Sequence, residues 1–292
     1  MSTRNAAELA YFDVSSSGVA AFASGTDTIA IGPLSSAQVL DSGAIGRSAT
    51  AAGESAIAIG ALAVADTGTF PNSAIAIGAR SEATGVSSVA IGWFSGALAR
   101  NAVALGSNAQ AQEFAGTAIG NGTVAGGVAA ALGQLAEAGG TSSVAVGVRA
   151  LASEQVSVAV GALAEATAQG AIAIGGDGGD ANFEGAQATE LNAVSIGVDA
   201  LAEAENAVAI GVDAEASGIN ATAIGNFAVA FDEGSSAIGD NSVAIGADTI
   251  ALGTFSIAEG EGADALGAAA QAQAADAVAI GQFAAATGER SL

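Results

Sequence analysis

Ser55-Ala56-Ile57-Ala58-Ile59-Gly60 is one copy of a pattern that recurs from the first tenth of the chain to its last twelve residues. Its closing glycine returns at Gly32, Gly46, Gly60, Gly78, Gly92, Gly106, Gly120, Gly133, Gly147, Gly161, Gly175, Gly197, Gly211, Gly225, Gly239, Gly253, Gly267 and Gly281. Of the seventeen steps between neighbouring glycines, fourteen are 14 residues long, and the others are 18, 13 and 22. A short fixed period of this kind marks a solenoid, in which each repeat contacts only its neighbours and chain length sets repeat number.

Each repeat can be numbered from its glycine as position zero. Positions −3 and −1 carry mostly β-branched or large apolar residues, such as Ile57/Ile59, Val89/Ile91, Val158/Val160 and Val278/Ile280. Position −2 between them is Ala almost throughout, with Ser195 a rare exception. This alternation is a strand signal, because a helix would need spacings of three and four. In the second half of the repeat, +3 and +5 are small, as in Ala63/Ala65, Ala109/Ala111 and Ala214/Ala216. Asn or Ser often stands at −5, and a second glycine often follows the first by seven residues, as at Gly53, Gly85 and Gly218. Each repeat therefore reads as two short strands closed by two turns, with glycine supplying the positive φ that other residues resist.

The fold expected is all-β: a parallel β-roll or solenoid of 14-residue repeats, two short strands per turn. In this reading −3 and −1 face the interior and meet +3 and +5, while −2 points out of the coil. A uniform alanine row facing outward calls for a close backbone, and the most economical partner is the same row on identical chains. The expected oligomer interface is Ala30, Ala58, Ala76, Ala90, Ala104, Ala145, Ala159, Ala173, Ala209 and Ala223. Residues 1–25 match the repeat poorly and read as a cap or attachment segment, 26–288 as the β-roll domain, and 289–292 as a tail.

Composition narrows the function. The chain has no Cys, no His and no Lys, so thiolate metal sites, disulfides and the commonest general base are all missing. Six Arg against 29 acidic residues give a net charge of −23, which should repel nucleic acid and anionic headgroups. The mean hydropathy is +0.53, yet Gly, Ser, Asn or an acid interrupts every apolar run well short of the roughly 20 residues of a spanning helix. No signal peptide is evident in the first residues, and direct membrane insertion of this chain is not expected.

The steps of 18 and 22 mark insertions near 66–72 and 176–190, expected as loops bulging from one edge of the coil. The second contains Gly175-Gly176-Asp177-Gly178-Gly179-Asp180, a single brush with a calcium-binding nonapeptide that works only in tandem. It reads as an acidic loop; a lone calcium on Asp177, Asp180 and Glu184 is the alternative. No cofactor and no metal is expected. Paired carboxylates for glycoside hydrolysis have no groove in so narrow a coil, so the chain is not expected to be an enzyme. Interfaces are enriched in Trp, Phe and Arg. The candidate partner contacts are accordingly Arg80, Trp93 and Phe94, then Phe70, Phe183, Phe227 and Phe283. Packing across neighbouring rungs or chains is the competing role for these side chains.

The repeat Asn101-Ala102-Val103-Ala104-Leu105-Gly106-Ser107-Asn108-Ala109-Gln110-Ala111 resembles the YadA-like head repeat of trimeric autotransporter adhesins, and the resemblance covers roughly residues 26–288. It implies a left-handed parallel β-roll, three chains side by side, an extracellular position on a cell surface, and attachment to a host-surface, glycan or matrix ligand. No basic neck, heptad stalk or anchor strands are visible in the sequence. The alternative expectation is therefore a virion fibre, decoration or filament subunit on a virion surface, contacting neighbouring subunits and having no receptor of its own.

Overall fold

A computed structural model describes residues 19–66, 68, 73–179 and 184–291. All regular structure among them is β, in 37 strands of two or three residues. Among the described residues no helix is long and apolar enough to cross a membrane. The chain divides into two compact units, Met1–Gly122 and Thr123–Leu292, and each is built of the same coil.

The first unit shows the coil plainly. The strand Ile57–Ile59 is followed by a turn at Gly60 and the strand Val64–Ala65. Ile57–Ile59 pairs in parallel with Gly43–Ile45 behind it and Ile75–Ile77 ahead, with Ala44, Ala58 and Ala76 in one row. Val64–Ala65 pairs likewise with Thr50–Ala51 and Glu82–Ala83. Two parallel sheets result, one of three-residue and one of two-residue strands, and every coil adds a strand to each. The turns bond along the stack as well: Gly60 N–H donates to Ile45 O at 2.8 Å and Leu62 N–H to Arg47 O at 2.9 Å. Each coil thereby satisfies its backbone with its neighbours. The second unit repeats this, for example in Val208–Ile210 between Val194–Ile196 and Thr222–Ile224.

The closing glycine is fixed by both conformation and space. Gly60 has φ 134°, and a Cβ there would lie 2.4 Å from the carbonyl oxygen of Gly78 in the next coil. The two other turn positions tolerate side chains at a cost. Leu62 at +2 has φ 63° and Ser55 at −5 has φ 53°, both left-handed. This explains the Asn and Asp at −5, such as Asn101, Asn206, Asp41 and Asp248, which adopt that region more readily than most residues. In the second unit such asparagines also stack: Asn192 Nδ2 donates to Asn206 Oδ1 at 3.3 Å and Asn206 Nδ2 to Asn220 Oδ1 at 3.1 Å.

The interior differs from the sequence expectation in one respect. Positions +3 and +5 do face inward: Ala63 and Ala65 are fully buried. In the opposite strand, however, the buried residue is Ala58 at 0% exposure, while Ile57 and Ile59 stand outside at 38% and 37%. Ala58, Ala76, Ala90, Ala104, Ala145, Ala159, Ala173, Ala209 and Ala223 are all fully buried within their own coil, and Ala30 is half-buried. The nine fully buried side chains therefore cannot meet another chain, and their assignment to the oligomer interface is corrected. The physical reason is thickness. The two sheets lie so close that Ser195 Oγ, standing in the alanine row, donates to the carbonyl of Ala200 in the other half of its coil at 2.6 Å. Ile or Val does not fit such a gap, and alanine on alanine fills it.

Buried hydroxyls fit the same space when bonded locally. At +3, Ser35 Oγ donates to Gly32 O at 2.8 Å and Ser256 Oγ to Gly253 O at 2.8 Å. At −4, Ser143 Oγ donates to Gly140 O at 2.7 Å and Thr249 Oγ1 to Gly246 O at 2.6 Å. Each returns to the carbonyl three residues earlier, so a polar atom enters the core with its partner already supplied.

The insertions leave from different turns, contrary to the single edge expected. In the first unit the extra residues follow the strand Val64–Ala65, and in the second they follow Ile172–Ile174. Register is regained after both, as Ile57 pairs with Ile75 and Ile172 with Val194. The strand Phe22–Ala23 pairs with Ser36–Ala37 in the common register, and it lies ahead of the expected domain start at 26. The cap expected before it falls mostly on residues outside those described.

Candidate functional site

Two outward surfaces follow from this coil. The first is the outer face of the three-residue strands. Because alanine takes the inside, the branched residues at −3 and −1 are left facing out. Position −1 is Ile, Leu or Val in every coil of both units, from Ile31 and Ile45 to Leu266 and Ile280. Position −3 is mostly Val or Ile and carries a single acid, Asp264. The face is half-exposed along its length, with Ile91, Ile119, Ile174, Ile238 and Leu252 each at least 36% exposed. Lone exposed apolar residues are ordinary on a protein surface, but contiguous rows of them mark an interaction surface.

The outer face of the two-residue strands is chemically different. Its +4 position reads Glu82, Gln110, Glu137, Glu165, Gln187 and Glu215 among Val, Leu and small residues. Charge here needs no partner, since it is solvated. The ion pair of Arg290 with Asp276 at 3.5 Å is exposed and adds little.

On this second face the first unit contains a local break. Gly96 stands at +4 where neighbouring coils carry long side chains, Glu82 on one side and Gln110 on the other. The missing side chain opens a notch of about 380 Å³. Gln110 leans over it, its Nε2 donating to Phe94 O at 2.9 Å. Above the notch, three of the sequence-predicted contacts come together. The Arg80 guanidinium lies 5.0 Å from the centre of the Phe94 ring, and Trp93 meets Phe94 edge to face with ring centres 4.6 Å apart. Arg80 and Phe94 share the +2 position of successive coils, which sets the cation over the ring.

The other predicted contacts are not brought together. Phe227 and Phe283 occupy +2 in the second unit, 49% and 73% exposed, and no ring partner is found for either. Phe70 and Phe183 lie outside the described residues. Gly96, Glu82 and Gln110 were missed by reading residue types alone. Aligning the coils at +4 exposes the gap.

The acidic insertion of the second unit is held by its own backbone. Asp177 Oδ1 accepts from Gly179 N–H at 2.8 Å, and Asp199 Oδ2 accepts from Gly178 N–H at 3.1 Å. Asp180 is outside the described residues, and among those described no group of three or more His, Cys, Asp or Glu is arranged to hold a metal ion.

The model of one family, described as the YadA head domain repeat, matches the chain over residues 16–38, 41–63, 72–95, 97–123, 129–150, 152–177, 188–214, 216–242, 237–263, 258–284 and 272–292. The comparison with curated proteins found no match to the chain.

Proposed function

Because this chain belongs to the YadA head repeat family, we propose that it is a non-enzymatic, adhesin-head-like surface protein that assembles as a homotrimer and attaches to a host or matrix surface. In this reading it is extracellular and displayed on a cell surface. The observation that supports assembly is the bare Ile/Val/Leu face of the three-residue strands beside an interior made only of small residues. An alanine brings one methyl into the coil, whereas fully burying a Val, Leu or Ile contributes about 1.5–3 kcal/mol. The side chains able to contribute most are thus left for a partner, and the same face on identical chains provides one. The mixed polar and apolar +4 face would then stay outward and carry the contacts with the attached surface.

The test joins mass to binding. Light scattering on the purified chain should give three times the chain mass of 27.3 kDa. The trimer should be retained on intact cells or on immobilised matrix proteins and glycans. A stable monomer sinks the assembly reading. A trimer that binds none of these surfaces but packs into fibres favours a structural subunit instead.

A further inference from the structure

We propose that the notch at Gly96 is a binding site for one neutral, polyhydroxylated ring, a single saccharide unit of a surface glycan. The proposal rests on the attachment reading and assigns part of that attachment to this site. The notch is a built feature. It exists because one coil lacks its +4 side chain, and an added Cβ at Gly96 would lie 2.4 Å from Gln110 Oε1. Its volume, about 380 Å³, is in the lower range of small-molecule sites.

The groups around it choose the ligand class. Leu62 and Val64 form an apolar wall suited to the C–H face of a sugar ring. Arg80 and Glu82 stand on the same rim and neither is in an ion pair. One offers donors only and the other acceptors only, which matches hydroxyls that both donate and accept. Their charges offset, so a neutral ligand fits better than an acidic or basic one. A peptide strand cannot add here, because the backbone is already paired on both sides: Glu82 N–H to Ser95 O and Gly96 N–H to Ala109 O, each at 2.8 Å. Recognition must come from side chains reaching into a shallow notch. Trp93, 53% exposed, extends the apolar surface through Phe94.

Trp93 is the sole tryptophan and reports on the site through its contact with Phe94. The experiment titrates the intact protein with methyl glycosides of glucose, galactose, mannose and N-acetylglucosamine while following its emission. At least one should give a saturable change, with affinity on the order of millimolar for a single ring. Gly96→Val should abolish it. The fold tolerates Val at this position, since Val64 and Val229 occupy it in other coils, and unchanged mass and melting would confirm that. Arg80→Gln and Glu82→Gln should each weaken binding about tenfold, as the loss of one hydrogen bond to a charged group would. No response to any glycoside overturns the proposal, as does a response that survives Gly96→Val. An Asp-rich peptide that binds in place of the sugars overturns it, and so does a Trp93 shielded from acrylamide by a second copy of the chain. Retention on cells is measured in parallel. Wild-type protein that adheres without a glycoside response loses the notch and keeps attachment. A notch-dependent response without adherence keeps the notch and loses attachment.

Discussion

The two outer faces of the coil share almost everything except their side chains. Ile57–Ile59 and Val64–Ala65 sit on the same alanine interior, are bounded by the same kind of turn, and pair in the same parallel register. Yet the first face shows Ile, Val or Leu at most outward positions, and the second mixes Glu and Gln with Val, Leu, Ile and small residues. The fold of a single coil cannot explain that difference, because both faces are equally outside it. In the proposed assembly, what distinguishes them is what they meet, another chain on one side and water or ligand on the other.

Reversing the chemistry of one face at a time gives the largest expected effect. Ile210→Glu with Ile224→Glu should break the trimer into monomer or aggregate, read by light scattering, because two unpaired charges would enter an apolar contact. Val229→Glu with Val243→Glu, on the opposite face of the coils that hold Ile224 and Ile238, should leave the mass unchanged. A smaller effect sharpens the boundary between inside and outside. Ala209→Leu places three more carbons between the two sheets and should cost about 1–3 kcal/mol, seen as a lower melting temperature. Val208→Leu, one residue earlier and facing out, should cost less than about 1 kcal/mol in a monomeric background. Smallest of all, Glu165→Gln on the outer face of the two-residue strands should change stability by no more than about 0.5 kcal/mol and leave the mass intact.

Much of this architecture is legible in the period alone. Spacing of 14 gives the coil, alternation gives the strands, and the glycine gives the turn. The inward +3 and +5 positions are legible too, because Glu82, Glu137 and Glu165 between them cannot be buried. The orientation of the other strand is harder. Alternation says that Ala58 and Ile57 point opposite ways and is silent on which way is in. Hydrophobicity favours Ile, and interior thickness favours Ala; thickness prevails because two backbones seven residues apart cannot separate far enough for larger side chains. Two residues hinted at the answer. Asp264 stands in the row of Ile57, where a buried acid would be unpartnered, and Ser143 shares the inward parity of Ala145 and carries its own hydrogen bond. The notch was hidden for another reason. Its decisive residue is a glycine with no φ demand, which stands out only against the side chains of its neighbours in the stack.

The unbroken register has a consequence for how the protein forms. Within each unit, a strand pairs with the residues one coil away, 14 positions along the chain, or 18 and 22 where loops intervene, as for Ile57 with Ile75 and Ile172 with Val194. Relative to 292 residues these separations are short, which places an all-β protein among chains of low contact order. Each new coil closes one small loop onto a template already formed, so ordering advances by increments and no distant segment is awaited. Such a chain can fold vectorially, coil by coil, as it emerges from a narrow exit. An insertion delays one increment without disturbing the next.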